Sequence, residues 1–166
     1  KGATGTVLVV EDEPEILEPL AHSLQKAGFK VLQAEDGLTA CRLIGSECPD
    51  LVLLDIMLPD LDGWEVCRLL RQHPDPAVAD TPVMMLTALN AAEDKYRGLE
   101  LGADLFLPKP YSIREVILHA GKLISSRRET LALKNQVASL VNSSSQNQDM
   151  HHLLFHELRN QLMILG

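Results

Sequence analysis

The chain has 166 residues, of which 46% are hydrophobic and 23% charged, a composition typical of globular proteins that excludes a collagen-like or wholly disordered chain. Its 23 acidic residues outnumber its 15 basic ones, and the resulting net charge of -8 disfavours a protein that binds nucleic-acid phosphates directly. The sequence contains no run of about 18 uncharged apolar residues, the length that a membrane-spanning helix needs. We therefore expect a cytoplasmic protein with neither a membrane partner nor a direct nucleic-acid partner.

Short apolar runs rich in β-branched residues alternate with amphipathic segments from Thr6 to about Ser126. This alternation predicts an α/β fold in which a doubly wound, five-stranded parallel sheet carries helices on both faces. Pro19 falls inside the first predicted helix, where it should kink the helix or shorten its regular part. The predicted strands are Val7–Val10, Lys30–Ala34, Leu51–Asp55, Val83–Thr87 and Asp104–Leu107.

The C-terminal part contains no further strand pattern, and a helix-forming stretch runs from Ile113 to about Val141. Within it Leu133, Val137 and Leu140 share a helix face, which suits a two-helix seam. Polar residues 142–148 predict a break of linker character before a second amphipathic helix. We therefore expect an α/β domain over 1–126, a connecting helix with coiled-coil character and a polar linker over 127–149, and a truncated helical segment over 150–166.

Several polar side chains follow the apolar runs. Glu11 and Asp12 end the first predicted strand, Asp55 ends the third, Thr87 ends the fourth, and Lys109 follows the fifth. For the strand order 2-1-3-4-5, the carboxyl ends of the first and third strands flank the crevice in which such sheets bind ligands. We therefore expect these side chains to lie together.

Three carboxylates at one sheet edge need compensating positive charge, since each pair at about 4 Å repels by about 4 kcal/mol at an effective dielectric near 20. Lys109 supplies one cation, and a divalent ion held by oxygen ligands would supply the rest. Mg2+ suits this site because it retains waters and accepts phosphate oxygens. We expect it on Asp12, Asp55, Glu11 through water, and a backbone carbonyl just after Asp55.

A carboxylate in such surroundings can act as a nucleophile toward phosphorus and form an acyl phosphate. Asp55 is the best-placed candidate. The simpler interpretation of any one of these residues is structural: Asp55 would cap a turn and Lys109 would pair with it.

Four segments, VLVVEDEP (7–14), LLDIMLPDLDG (53–63), VMMLTA (83–88) and GADLFLPKP (102–110), resemble the successive motifs of bacterial two-component response-regulator receiver domains. The resemblance covers roughly Thr6 to Ser126 and implies a flavodoxin-like fold for the domain at 1–126. It further implies a cis peptide bond between Lys109 and Pro110.

The same resemblance implies a role for individual residues. Asp55 would be the phosphoacceptor, and Thr87 would bind a phosphoryl oxygen and move on activation. Lys109 would contact another phosphoryl oxygen, and Phe106 would be the switch aromatic that turns inward with Thr87. The implied metal ligands are Glu11, Asp12, Asp55 and the carbonyl of Met57.

The segment Phe155–Leu162, FHELRNQL, is similar to the phosphoaccepting box of histidine kinases. This similarity implies a second phosphoacceptor, His156, whose tautomer the adjacent Glu157 would hold. The alternative is a solvated amphipathic helix that happens to carry histidines. We therefore expect the chain to be the N-terminal part of a hybrid protein, with a truncated kinase-like phosphoacceptor helix at 150–166.

The leading functional hypothesis is a signalling receiver that takes a phosphoryl group from a phosphohistidine on a histidine kinase or phosphotransfer protein. The change would pass to the C-terminal helices, and a homodimer would form through the last receiver helices or the extension. A Mg2+-dependent phosphohydrolase with an Asp nucleophile is the alternative from another class. Such enzymes generally place a second Asp two residues after the nucleophile, and Met57 stands there. A scaffold that no longer switches is a third hypothesis.

Overall fold

Five parallel strands form the centre of the α/β part of the chain. The computed structural model describes residues 4–88 and 92–164, and within them all side chains except those of 92–95, 144–156 and 164. The strands pair in the order β2-β1-β3-β4-β5, and every pair is parallel, so the predicted fold and strand order are confirmed. The strands are β1 (Thr6–Val10), β2 (Lys30–Ala34), β3 (Leu51–Asp55), β4 (Val83–Thr87) and β5 (Leu105–Pro108).

Helices connect the strands, as right-handed crossovers between parallel strands require. α1 contains Pro19 yet runs from Pro14 to Lys26 as one helix, so the predicted helix is present. α2 (Gly37–Glu47) begins where the Asp36 carboxylate accepts a hydrogen bond from the Thr39 amide. α3 (Gly63–Arg71) begins in the same way, where the Asp62 carboxylate accepts a hydrogen bond from the Glu65 amide. The remaining helices are α4 (Pro76–Ala79), α5 (Ala92–Glu100) and α6 (Ile113–Ile164).

The sheet is buried on both faces. On one face, side chains of β1, β3 and β4 pack against α1 and the first part of α6, through residues such as Leu17, Leu24 and Val116. On the other face, alternate residues of the same strands pack against α2 and α3, through residues such as Ile44 and Val66. Two-sided burial explains why β3 and β4 are continuously apolar up to their last residues.

The C-terminal helix α6 differs from the sequence-based prediction, which placed a linker within it. Residues 142–148 lie inside α6, which is helical from Ile113 to Ile164, so the predicted polar break is wrong. Ser, Asn and Gln lower helix propensity only slightly, and the sequence from Lys122 to Ile164 contains neither Gly nor Pro to end the helix. The chain divides into two units, Lys1–Ser125 and Ser126–Gly166.

Within the described ranges, no helix combines the length and the apolar character that crossing a bilayer requires.

Candidate functional site

Three carboxylates meet at the carboxyl ends of β1 and β3. Val10 pairs with Leu54 in the parallel register, so Glu11 and Asp55 are the next residues along adjacent strands. Ligand oxygens of Glu11, Asp12 and Asp55 all lie within 4.8 Å of one another. Glu11 is 1% exposed and Asp55 5% exposed, whereas Asp12 is open to solvent. The predicted acidic cluster therefore exists, with one member facing solvent.

Lys109 brings the positive charge to this cluster. Its Nζ lies 3.3 Å from Asp55 Oδ2 and 3.8 Å from Glu11 Oε2. The Lys109 amide donates to the Thr87 carbonyl at 2.6 Å, which joins the end of β5 to the end of β4. The Lys109–Pro110 peptide bond is cis, as the resemblance implied. One ammonium thus faces two buried carboxylates, and the positive charge does not balance the negative charge.

The excess of negative charge in the pocket affects Glu11 most directly. Both of its carboxylate oxygens are buried and have no hydrogen-bond partner among the described residues. Burial, and after it the neighbouring Asp55 carboxylate, raises the pKa of Glu11 to about 8. Burial, and then Glu11 and Asp55, also raises the pKa of Tyr111 to about 12. Unsatisfied oxygens beside two more carboxylates match the ligand preference of a hard divalent cation, so the residues fit Mg2+.

The loop after β3 lies directly over Asp55. The Met57 amide donates to Asp55 Oδ1 at 3.4 Å, and the Met57 side chain is exposed. Gly63 donates to the Ile56 carbonyl at 2.8 Å, and a Cβ on residue 63 would overlap the backbone of Asp55 and Ile56. Glycine is therefore required where α3 begins against the end of β3.

Asp60 anchors the same loop and was not identified from the sequence. Its two carboxylate oxygens accept the Gly37 amide at 2.7 Å and the Leu38 amide at 3.0 Å, so it caps the start of α2. Partial desolvation of this exposed carboxylate acts to raise its pKa, but the hydrogen bonds from backbone amides, first those of Leu38 and Gly37, outweigh it and hold the pKa of Asp60 below its usual value. Asp60 lies two residues before Asp62, which caps α3. Nothing in the local sequence indicates that Asp60 instead caps α2, a helix distant along the chain.

Thr87 and Phe106 lie on the same face of the sheet. Phe106 pairs with Met85 in register, and side chains two residues apart on β4 share a face, so Thr87 follows on the face of Phe106. The Phe106 ring is half-buried and lies 6.0 Å from the Trp64 ring, at an interplanar angle of 36°. The Arg97 guanidinium carbon stands 5.2 Å from the centre of the Trp64 ring.

His156 belongs to α6, but its side chain lies outside the described residues. The neighbouring Glu157 and Leu158 are exposed. The structure therefore places His156 on a helix in the unit Ser126–Gly166, and its predicted phosphoacceptor role stays a prediction.

Two relatives of the chain have names that describe transcriptional regulators. It is 44% identical over 131 residues to the alkaline phosphatase synthesis transcriptional regulatory protein PhoP of Bacillus subtilis, covering 79% of this chain and 52% of that protein. It is 41% identical over 118 residues to the DNA-binding dual master transcriptional regulator RpaA of Synechocystis, covering 71% of this chain and 48% of that protein. The chain thus spans about half the length of these relatives, and their names give no support to the expectation that nucleic acid is not a partner.

A solved structure shares the fold. It is the signal receiver domain of a signal transduction histidine kinase from Syntrophus aciditrophicus, with 36% identity and a TM-score of 0.68, covering 74% of this chain and 91% of that one. The family model described as response regulator receiver domain matches residues 7–120. With the strand order 2-1-3-4-5 and the acidic cluster at the ends of β1 and β3, this match shows that the chain belongs to the response regulator receiver domain family.

Proposed function

We propose that Asp55 is the phosphoacceptor of this receiver and takes a phosphoryl group from a phosphohistidine on a histidine kinase or phosphotransfer protein in the cytoplasm. The observation that carries the proposal is the buried Asp55 carboxylate, which shares its pocket with Glu11 and Asp12 and lies 3.3 Å from the Lys109 ammonium. An Asp oxygen forms the new O–P bond while the N–P bond to the donor imidazole breaks, and that imidazole leaves with the bonding electron pair.

Asp12, Asp55, Glu11 through water and the Met57 carbonyl would hold Mg2+. The unsatisfied oxygens of Glu11 support this assignment, because they are buried among negative charge. When bound, Mg2+ would neutralise charge on the transferring phosphoryl oxygens. Lys109 would contact one phosphoryl oxygen and the Thr87 hydroxyl another, from the ends of β5 and β4.

The signal would then pass from Thr87 to Phe106 and on to the C-terminal helix. The shared sheet face of these two residues supports this route, as does the hydrogen bond that joins Thr87 to Lys109. A two-state element of this kind couples the pocket to a distant surface only if both states pack well. The half-buried ring of Phe106 is the element we propose to move.

The test is intact mass after incubation with Mg2+ and acetyl phosphate. We expect the wild-type chain to gain the mass of one phosphoryl group, Asp55→Ala to gain none, and the control Asp75→Ala, which removes an exposed cap of α4, to gain one. Chelation of Mg2+ should also abolish the gain. A gain that survives Asp55→Ala would overturn the assignment of the phosphoacceptor.

The phosphohydrolase alternative lacks support at position 57, where it would place its acid and base. Such an enzyme needs an acid and base two positions after the nucleophile, and the exposed Met57 side chain has no ionisable group. Steady turnover of a small phosphate ester, abolished by Asp55→Ala, would reinstate it.

The context of the receiver is a separate proposal, namely that His156 is a second phosphoacceptor of a hybrid receiver and histidine kinase. It is supported by the segment 155–162 and by the likeness to a receiver domain of a histidine kinase. A histidine-kinase ATP-binding domain supplied in trans with ATP should give an alkali-stable label. We expect His156→Gln to lose this label and His22→Gln to keep it, and equal labelling of both variants would exclude His156.

We also propose that this acidic chain does not itself bind DNA, since its net charge is -8. Anisotropy of a labelled duplex should not change when the chain is added at low salt. A salt-dependent rise would overturn this proposal, in keeping with the regulator names of its relatives.

A further inference from the structure

The helical unit that follows the receiver carries an exposed apolar seam. Leu133, Val137 and Leu140 are 61%, 58% and 68% exposed, although they are aliphatic side chains on a regular helix. Together with Thr130 they recur at spacings of three and four residues. An open groove along the helix is lined by Thr130, Leu133 and Val137 of this set, together with Lys134, Ala138, Val141 and Asn142. A run of aliphatic side chains left in water at this period is the pattern of one strand of a coiled coil.

We propose that this seam pairs with a second copy of the same chain in a parallel, in-register, two-stranded coiled coil. The seam consists of Thr130 and Val137 at the heptad positions a, and of Leu133 and Leu140 at the positions d. β-branched residues at a with leucine at d favour parallel dimers over higher oligomers. The Thr130 hydroxyl donates to the Ser126 carbonyl at 2.9 Å, so its polar atom is satisfied within its own helix.

The charges beside the seam select the same partner and the same direction. Glu129 occupies position g and Lys134 occupies position e of the next heptad, and both are exposed. In a parallel in-register pair, position g of one helix faces position e five residues later on the other helix. Each dimer would therefore bring Glu129 of each chain to Lys134 of the other, twice by symmetry. Charge complementarity of a chain with itself at this offset argues for a second copy rather than an unrelated partner.

These features lie in the unit Ser126–Gly166 and include no residue of the phosphorylation pocket. The proposal therefore does not rest on phosphoryl transfer by Asp55. The dimer would form in the unphosphorylated chain, and a failure of acetyl phosphate labelling would leave it untouched.

The first test is sedimentation velocity of the 166-residue chain over a range of concentrations. We expect a reversible monomer–dimer equilibrium. Leu133→Glu combined with Leu140→Glu should weaken dimerisation by at least about a hundredfold, because four buried leucines per dimer are replaced by charge. Leu131→Glu is the matched control at the outward position b and should leave the dimer intact. Circular dichroism of each variant checks that the helices and the receiver remain folded.

The second test is a charge swap that reads the register. Glu129→Lys should weaken the dimer by about tenfold, since it creates two like-charge pairs. Adding Lys134→Glu to that variant should restore the affinity, because the attractive pair is rebuilt with its signs exchanged. Residues five apart do not face each other on one helix, so restoration reports contacts between chains.

The third test is disulfide cross-linking between the two chains of the dimer. In a Cys48→Ser background, which removes the exposed native thiol, Leu133→Cys and Leu140→Cys should each cross-link to the same residue of the partner. Leu131→Cys should not. A chain that stays monomeric at its highest soluble concentration would overturn the proposal. So would a dimer insensitive to the seam variants, or one in which the charge swap fails to restore affinity and neither seam cysteine cross-links.

Discussion

The ring of Phe106 fills the space that a side chain on Gly98 would need, and a Cβ built on residue 98 would overlap its outer carbons. Gly98 lies within α5 and is buried, and the Phe106 ring also neighbours the Trp64 ring, with ring centres 6.0 Å apart. The residue proposed as the switch aromatic therefore packs against a glycine of α5 and lies near a tryptophan of α3. The absence of a side chain at residue 98 allows the ring to take this position.

We expect Gly98→Ala to displace the Phe106 ring. Overpacking should lower the free energy of unfolding by about 1–3 kcal/mol, and the emission of Trp64 should change because its aromatic neighbour moves. Urea denaturation and fluorescence spectra measure the two effects. The matched control is Gly45→Ala in α2, where nothing lies within 4 Å of the added Cβ. That change should raise stability by about 0.5–1 kcal/mol, and a similar gain from Gly98→Ala would show that the ring is not confined.

The Arg71 guanidinium ties together three segments at the edge of the sheet remote from the pocket. It donates to the carbonyls of Gly102, Ala79 and Thr81 and to the Asp104 carboxylate. We expect Arg71→Ala to lower the free energy of unfolding by roughly 3 kcal/mol, because several carbonyls lose their donor. Arg71→Lys should recover little, since one ammonium cannot reproduce the planar fork.

The control for Arg71 is its neighbour Arg68. The Arg68–Glu65 ion pair is 2.7 Å long, but both side chains are more than 40% exposed, so Arg68→Ala should leave the urea midpoint almost unchanged. Equal losses from the two variants would mean that removing a positive charge from the last turn of α3, rather than the loss of the carbonyl contacts, explains the effect.

The buried Glu11 should make stability depend on pH in the absence of divalent ions. Folding raises its pKa from 4.5 to about 8, so the folded chain retains a proton that the unfolded chain has released. The contribution of Glu11 to the free energy of unfolding is therefore fully present below pH 4.5 and is lost as the pH rises from 4.5 to about 8. Urea denaturation in EDTA across this range should show the fall, and Glu11→Gln should remove that part of it. Glu18→Gln, an exposed residue of α1, should retain the wild-type profile.

Binding of Mg2+ should show the opposite pH dependence if Glu11 helps to hold the ion. The ion competes with a proton, so its apparent affinity should rise with pH up to about 8 and then level off. Titration of the intrinsic fluorescence with Mg2+ at several pH values measures this. An affinity independent of pH would remove Glu11 from the proposed ligands.

Asp60 should control the order of the start of α2 from outside that helix. Asp60→Ala removes the acceptor of the Gly37 and Leu38 amides, and we expect both amides to exchange hydrogen faster. Asp36→Ala is the matched comparison, because Asp36 accepts the Thr39 amide at 2.7 Å. Asp36→Ala should speed hydrogen exchange at the Thr39 amide before it affects Gly37 or Leu38. Unchanged exchange at Gly37 and Leu38 in Asp60→Ala would contradict the proposed anchor.

Most of the sheet could be predicted from local pattern. β2, β3 and β4 have the predicted bounds, while β5 begins one residue later than predicted, at Leu105. Continuous β-branched and aliphatic runs identify strands that are buried on both faces. The short helix α4 was not predicted, because four residues are too few to show a helical period. The false break at 142–148 has a different cause, because a run of polar residues is typical of a linker although Ser, Asn and Gln disfavour a helix only slightly.

The sequence by itself determined the sheet and its order, and it identified Glu11, Asp12, Asp55, Thr87 and Lys109 as residues of one sheet edge. Polar residues at the ends of apolar runs are forced to the same edge once the strands are parallel. Only the tertiary structure decided that Lys109 meets both Asp55 and Glu11, that Asp60 caps another helix, and that Gly98 seats Phe106. These contacts join residues distant along the chain, and their partners depend on packing between elements rather than on the period within any one of them.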